Sequence, residues 1–249
     1  VDAIIHLAAL NAMESNLDPK QALLINGFGT QNLLMAAIQS KVKRFLYFST
    51  IHVYGNKNKS VISESTLPKP SHHYAITHKL AEDYVLNAND SISVSVFRLS
   101  NVIGSPMSKE VNCWMLVAHD LCQQVIINGS MELNSNKKVT RDFISLNNLS
   151  KITCMSIKNN NFKQIKDNII NIVSGEAISL ENLVQIISIE CENIFHFKPK
   201  IKYNNRNIRK IETIVFSNQK AKSLGFDLKT DLHHEINTLL LNCEKWYGS

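Results

Sequence analysis

The feature that most constrains the fold is an alternation of short apolar runs with longer helical segments in the first hundred residues. The runs at 1–9, 44–49 and 93–99 have the length and composition of strands that are covered on both faces. Between them, residues 19–40 and 74–89 place apolar side chains at helical spacing. Strands that alternate with helices predict a parallel sheet with right-handed crossovers, the doubly wound α/β plan.

Beyond Gly104 the alternation loosens, and the pattern predicts a smaller mixed α/β region. We therefore expect two regions, residues 1–104 and residues 105–249, with some segments of the second returning to the sheet of the first. The helices and short strands expected in the second region lie at 113–127, 131–133, 146–158, 169–173, 180–192 and 232–247.

Composition narrows the class of protein. A chain of 249 residues with 44% hydrophobic and 19% charged residues can bury a substantial core. No apolar run approaches the roughly 18 residues of a membrane span, and no signal-peptide pattern opens the chain, so we expect a cytoplasmic protein without a membrane partner. The five cysteines form no CxxC pair, which favours reduced thiols and no metal site. The formal charge of +6 is dispersed, so we expect no nucleic-acid partner.

Ligands of doubly wound proteins bind at the carboxyl ends of the strands, so the residues that follow each strand are the first candidates for a site. Three such places stand out, at 7–11, 49–55 and 100–104. Each has a plainer interpretation: Ala8 and Ala9 permit close packing, and Ser49 with Thr50 caps a turn. The order and spacing of all three together favour a site.

The ordered segments HLAALNA, NGFGTQNLL, RFLYFSTIHVYG, HHYAITHKLAEDYV, FRLSNVIG and TRDFISLNNL resemble the NAD-dependent epimerase/dehydratase family. These are extended short-chain dehydrogenases/reductases that modify nucleotide sugars. The resemblance implies a Rossmann-like sheet, NAD or NADP as the cofactor and a nucleotide-activated sugar as the partner, and it leaves a homodimer open. It assigns 1–104 to the C-terminal portion of the NAD(P)-binding domain and 105–249 mainly to substrate binding.

The family's glycine-rich turn is expected ahead of Val1, since the 249 residues contain no GxGxxG or GxxGxxG pattern. That turn binds the cofactor's pyrophosphate at a helix N-terminus. The resemblance thus predicts a chain that lacks the first part of the nucleotide-binding fold, as a fragment of a longer reading frame or as a natural remnant.

Site residues follow from the resemblance by position. Tyr74 matches the acid/base that exchanges a proton as hydride moves, and Thr50 matches the hydroxyl that hydrogen-bonds the reacting oxygen of the substrate. The positions implied to bind the cofactor are Leu7, Ala8, Ala9, Asn26, Ser49, Tyr74, His78 and Ser100, those implied to bind the substrate are Thr50, Asn101, Asn112 and Arg141, and the catalytic positions are Thr50, Tyr74, His78 and Lys79.

One catalytic position departs from the family pattern. The usual Tyr-x-x-x-Lys is here Tyr74 followed four residues later by His78, with Lys79 one place beyond. On an α-helix the fourth residue lies about 40° around from the first and the fifth about 140°, so His78 should share the face of Tyr74. We expect a cationic His78 to lower the pKa of Tyr74, unless a helical bulge brings Lys79 round instead.

Arg141 suits a diphosphate because its planar fork donates two hydrogen bonds at once, although an ion pair with Asp142 is an alternative. Arg206 and Arg209 are weaker candidates for the same anion. Dehydratases of the family often carry an Asp-Glu pair where Ile51 and His52 stand, which favours an epimerase or ketoreductase. The other hypothesis is a catalytically silent protein that binds NAD(P) or a sugar nucleotide.

Overall fold

The computed structural model describes residues 1–55, 61–158, 168–204 and 214–248. It divides into two compact units, the first formed by 1–100, 150–173 and 216–227 and the second by 101–149, 174–215 and 228–249.

The strands in chain order are β1 (Ala3–His6), β2 (Arg44–Thr50), β3 (Val61–Ile62), β4 (Ser93–Leu99), β5 (Asn101–Ile103), β6 (Ser130–Leu133), β7 (Thr140–Ser145), β8 (Ile169–Ile172), β9 (Ala177–Ser179), β10 (Lys200–Tyr203) and β11 (Val215–Phe216).

The α-helices alternate with these strands through most of the chain. In chain order they are α1 (Ala12–Leu17), α2 (Pro19–Ala22), α3 (Thr30–Gln39), α4 (His73–Asn87), α5 (Val117–Asn128), α6 (Leu146–Lys158), α7 (Leu180–Phe195), α8 (Gln219–Ser223) and α9 (Leu232–Tyr247).

A four-stranded sheet with the order β1-β2-β4-β8 forms the first unit, and every pairing in it is parallel. The predicted doubly wound parallel sheet is therefore confirmed. Helices α3 and α4 pack their apolar sides on it, with Leu34, Ala81 and Val85 against Phe45 and Val94. Because both faces are covered, the central strands read as continuous apolar runs.

The segment predicted as one helix over 19–40 is divided in the structure. Asn11 caps α1 in a capping box with Glu14, and Asp18 caps α2, which begins with Pro19. Residues Leu23–Gly29 then form a π-helix that leads into α3. The wider turns accommodate an extra residue, which periodicity alone does not register.

A buried ion pair joins α4 to the sheet of the first unit. The Arg98 guanidinium on β4 donates to both carboxylate oxygens of Glu82 on α4, at 2.9 and 2.6 Å, and the two side chains are 1% and 0% exposed. The Ser49 hydroxyl on β2 donates to the same carboxylate at 2.6 Å. The guanidinium carbon lies 4.7 Å above the Tyr54 ring, and the Tyr54 hydroxyl donates to the Asn171 side chain on β8.

The second unit combines small sheets with three long helices. Strand β7 pairs in parallel with β5 and antiparallel with β9, and β10 pairs in parallel with β6. Its core lies among α5, α7 and α9, where Leu121, Val184 and Leu239 are fully buried. The buried Asp142 carboxylate on β7 holds the turn after β8 by accepting from the backbone amides of Ser174 and Gly175.

Two features are absent from the described part of the chain. None of its helices is long and apolar enough to cross a membrane. Within those same residues, no group of three or more His, Cys, Asp or Glu side chains could hold a metal ion.

The ion pair leads to a stability prediction. Glu82→Gln should lower the free energy of unfolding by about 3–5 kcal/mol, because it leaves the buried Arg98 charge uncompensated. The matched control is Asp83→Asn, at the residue that follows Glu82 on the same helix. It breaks the more exposed ion pair with Lys79 and should cost less than about 1 kcal/mol. Urea unfolding of the three proteins measures both changes, and equal costs would contradict the assigned role of Arg98.

Candidate functional site

The carboxyl end of β1 opens into a small-residue segment. Leu7, Ala8 and Ala9 follow the strand and are all exposed. The next residue, Leu10, is tied down by Asn26, whose Oδ1 accepts from the Leu10 amide at 2.7 Å. The exposed backbone at 7–9 is thus held in place at the edge of the sheet, where a ligand can approach closely.

Asn26 lies fully buried in the π-helix and connects two elements of the site. Besides its bond to Leu10, its Nδ2 donates to the Thr77 hydroxyl on α4 at 3.1 Å. The Thr77 hydroxyl in turn contacts the backbone carbonyls of His73 and Tyr74. Asn26 therefore fixes the loop after β1 relative to the first turn of α4, and its polar atoms are engaged within the protein.

Tyr74 lies in the first turn of α4 beside Thr50, the last residue of β2. The Thr50 hydroxyl accepts from the His52 amide at 3.2 Å. Burial raises the pKa of Tyr74, and the neighbouring Thr50 side chain opposes that rise only in part. The phenol therefore keeps its proton at neutral pH.

The His78 ring meets the Tyr74 ring edge-on from the next turn of the same helix, with ring centroids 4.4 Å apart. Its Nδ1 lies 2.7 Å from the Tyr47 hydroxyl, whereas its buried Nε2 has no hydrogen-bond partner among the described residues. Burial, with smaller contributions from His6 and His52, lowers the pKa of His78 to about 3. The expectation of a cationic His78 at neutral pH is therefore wrong, because a charged imidazole would lose its hydration there.

The Lys79 side chain pairs with Asp83 and does not pack against Tyr74. Helix α4 is α-helical from His73 to Asn87, and Lys79 forms an ion pair with Asp83 one turn later. This is the side of the helix that the register predicts for the fifth residue after Tyr74. The structure thus places His78 against Tyr74 and the Lys79 amine on Asp83.

Ser49 lies near the end of β2 and Ser100 directly follows the neighbouring strand β4, but their surroundings differ. The Ser49 hydroxyl is committed to the Glu82 carboxylate. The Ser100 hydroxyl is buried and has no hydrogen-bond partner within the described residues. A buried polar atom without a partner costs free energy, and a ligand that supplies the missing bond recovers it. Ser100 Oγ and His78 Nε2 are therefore two buried polar atoms that a ligand could satisfy.

Two further histidines surround Tyr74, and sequence analysis did not assign them to the site. The His72 ring is stacked on Tyr74 at a centroid distance of 6.1 Å, and its Nδ1 caps the start of α4. The His52 ring meets Tyr74 edge-on at 6.2 Å. The sequence could have identified His72 by its position directly before a predicted helix, because the first backbone amides of a helix need a side-chain acceptor.

The remaining predicted residues lie in the second unit. The Asn101 side chain donates to the Asp142 carbonyl at 2.9 Å, and Asn112 is exposed. Arg141 is half-buried, which lowers its pKa, and it donates to the Thr140 carbonyl. Arg141 and Asp142 are consecutive on β7 and so point to opposite faces, and the described ion pairs do not join them. Arg206 and Arg209 lie outside the described residues.

Sequence comparison finds relatives of this chain among known proteins. GDP-6-deoxy-D-talose 4-dehydrogenase of Aggregatibacter actinomycetemcomitans is 32% identical over 210 residues, which cover 84% of this chain and 67% of that protein. Probable UDP-arabinose 4-epimerase 3 of Arabidopsis thaliana is 37% identical over 107 residues, 42% of this chain and 26% of that protein. The match spans only about a quarter of the second relative's length.

A solved structure shows the same fold over nearly the whole chain. The structure of RMD from Pseudomonas aeruginosa complexed with NADPH superposes with a TM-score of 0.83 at 22% identity, over 98% of this chain and 82% of that one. The family model described as the NAD dependent epimerase/dehydratase family matches residues 1–214. The predicted family is confirmed: this chain belongs to the NAD dependent epimerase/dehydratase family.

Proposed function

We propose that this protein acts with NAD or NADP on a nucleotide-activated sugar, as a C4 ketoreductase or epimerase in which Tyr74 is the acid/base. The observation that carries the proposal is the buried Tyr74 phenol, which lies beside the Thr50 side chain and packs on His78 near the carboxyl end of the parallel sheet. The two relatives described above are named as a 4-dehydrogenase and a 4-epimerase, which supports chemistry at C4 of the sugar.

The protonation state of Tyr74 favours the reducing direction. Its raised pKa keeps the proton on the phenol, which suits a group that donates a proton to a ketone oxygen. Bound at this site, a reduced nicotinamide would supply the hydride for the carbonyl carbon. Tyr74 then gives its proton to the oxygen, the carbonyl double bond becomes a C–O single bond, and the tyrosinate takes a proton back from solvent.

Thr50 has the position to share this task. Thr50 is 5% exposed and lies beside Tyr74, so the two hydroxyls can approach the same oxygen of a substrate. Two donors on one oxygen stabilise the charge that develops there as hydride arrives. Leu7, Ala8 and Ala9 would lie along the cofactor through their exposed backbone, and Ser100 and His78 would meet its hydroxyl groups.

Substrate binding is assigned to Asn101, Asn112 and Arg141 of the second unit. Arg141 offers the strongest interaction, because a guanidinium can donate two parallel bonds to a diphosphate. Its partial burial strengthens such a bond, since water competes less for both partners.

A second candidate function is a silent protein that binds the cofactor or the sugar nucleotide without turnover. The neutral His78 and the engagement of Lys79 with Asp83 favour it, because neither side chain gives Tyr74 a cation that would stabilise a tyrosinate. The two candidates differ in whether the loss of Tyr74 changes a measurable rate.

Tyr74→Phe should lower kcat for reduction of a nucleotide 4-ketosugar by roughly a hundredfold to ten-thousandfold, because only the proton-transfer group is removed. NAD(P) affinity, measured by fluorescence titration, should stay within about threefold, a change of less than 1 kcal/mol. The control is Tyr84→Phe, which removes a phenol hydroxyl elsewhere on α4. Wild type and Tyr74→Phe that bind the cofactor equally and show no turnover would support the silent protein.

His78→Ala should reduce kcat/KM by about tenfold or more, whereas Lys79→Ala should change it less than about threefold. The first substitution removes the side chain packed on Tyr74, and the second removes a surface ion pair worth little. Steady-state kinetics with matched thermal unfolding curves separates activity from stability. The reverse order of effects would exclude the α-helical register assigned to this pair.

Arg141→Ala should raise KM for the sugar nucleotide by about tenfold to a hundredfold with a smaller effect on kcat, because it removes a charge-assisted bond to the diphosphate. Arg141→Lys keeps the positive charge but not the planar guanidinium, so it should bring KM part of the way back to the wild-type value. A KM that stays at the wild-type value while the melting temperature falls would assign Arg141 to structure instead.

A further inference from the structure

The helix that carries Tyr74 is capped by a histidine. His72 directly precedes α4 in an extended conformation, and its Nδ1 accepts a hydrogen bond from the Ala75 amide at 3.4 Å. The usual N-cap residues are Ser, Thr, Asp and Asn, whose side-chain oxygen accepts throughout the physiological pH range. An imidazole nitrogen accepts only while it carries a lone pair. The cap of α4 therefore depends on the protonation state of His72.

The hydrogen bond to Ala75 fixes where the proton of the neutral imidazole lies. A backbone amide can only donate, so His72 Nδ1 holds the lone pair and Nε2 holds the proton. The imidazolium carries a proton on both nitrogen atoms and cannot accept from Ala75. The positive end of the helix dipole also disfavours a cation at this position. Protonation of His72 thus removes the cap and places a charge at the unfavourable end of α4.

The same imidazole packs flat against Tyr74. The two rings are nearly parallel, with an interplanar angle of 6° and centroids 6.1 Å apart. His52 meets both rings edge-on, at centroid distances of 5.5 Å from His72 and 6.2 Å from Tyr74. His52 lies in a 3₁₀-helix, Ile51–Tyr54, which Thr50 caps by accepting from the His52 amide. The three rings therefore connect the cap at Thr50 with the cap of α4.

We infer that His72 is a positioning residue, which as a neutral imidazole caps the first turn of α4 and keeps Tyr74 beside Thr50 until protonation releases the cap. Where it concerns turnover, the inference rests on the proposed function, since Tyr74 is the acid/base only under that proposal. The capping itself is a property of the unliganded chain. It can be measured whether or not the protein turns over a sugar nucleotide.

The pH dependence follows from this protonation step. The titratable groups that act on the His72 ring are His52 and Tyr74, which pack against it, and His73, which follows it in the chain. Burial and the neighbouring His73 lower the pKa of His72 from its ordinary value of 6.5. The cap is therefore complete above about pH 6.5 and is lost as the pH falls through the lower pKa of the folded protein.

Imidazole ¹⁵N NMR of the unliganded 249-residue protein tests the capping. Histidine is labelled with ¹⁵N, and His72→Asn identifies the His72 signals by their disappearance. At about pH 8 we expect a pyridine-type Nδ1 and a pyrrole-type Nε2, the pattern of an accepting Nδ1. Titration toward acid should give a pKa below 6.5. A proton on Nδ1 at about pH 8, or a pKa above 6.5, would overturn the inference.

The kinetics of 4-ketosugar reduction test the positioning. At about pH 8, His72→Ala should lower kcat by about threefold to thirtyfold, the factor that corresponds to a lost helix cap. His72→Asn supplies an accepting oxygen and should stay within about twofold of the wild type. The ratio of wild-type kcat to His72→Asn kcat should fall toward acid pH, because only the histidine cap titrates. The matched control is His73→Ala, at the exposed first residue of α4, which should leave kcat unchanged at about pH 8.

If His72→Ala does not fold, the ratio of wild type to His72→Asn on the acid side carries the same test, and a constant ratio would contradict the inference. If none of the proteins turns over a ketosugar, NMR with ¹³C-labelled tyrosine replaces the kinetics. The Tyr74 ring signal should be broadened or split in His72→Ala and a single line in His72→Asn, although both lack the stacked ring. Equal behaviour of these two variants would overturn the positioning role. The expected NMR signals without turnover would count against the proposed function alone.

Discussion

The site depends on a charge that is buried in the sheet. Arg98 lies on the central strand β4, and a guanidinium there is tolerated only with a paired carboxylate. Glu82 supplies it and thereby fixes the rotation of α4 about its axis. Residues four and eight positions before Glu82 share its face of the helix, and these are His78 and Tyr74. The ion pair therefore orients Tyr74 and its neighbour His78 without touching either.

The π-helix supplies a second constraint on α4. Its wider turns place Asn26 where one amide group reaches both the loop after β1 and Thr77 on α4. A Cβ on Gly27 would lie 3.0 Å from the Leu80 side chain, so the absence of a side chain at this position permits the close approach of α4. The ion pair orients α4 on the sheet side, and the π-helix positions its first turns from the other side.

The sequence predicted the features that repeat along the chain or follow from helical register. The parallel strands and the shared face of Tyr74 and His78 are of this kind, since an apolar run and a four-residue spacing are local. The π-helix was not predictable from periodicity, because one inserted residue leaves the apolar pattern on both sides intact. The pairing of Glu82 with Arg98 was also inaccessible, since it joins a helix to a strand through tertiary packing.

The charge of His78 was predicted wrongly for a related reason. The spacing of residues along the helix identifies His78 as the neighbour of Tyr74. It does not tell how well water hydrates the His78 imidazole, and the pKa of His78 depends on that hydration. In the structure, burial is the largest cause that lowers the pKa of His78, of His6 and of His72. The surroundings of Tyr74 therefore gain no positive charge from these histidines at neutral pH.

The neutrality of His78 and His72 has a chemical consequence for the tyrosine. Neither ring stabilises the phenolate of Tyr74 with a positive charge, and burial raises the pKa of Tyr74. A phenol in this state gives up its proton only when an acceptor such as a forming alkoxide is present, and it then needs hydrogen-bond donors to compensate. Thr50 is placed to be one such donor. The burial that removes the charge from His78 thus also favours Tyr74 as an acid over Tyr74 as a base, and the direction of the proposed chemistry follows from packing.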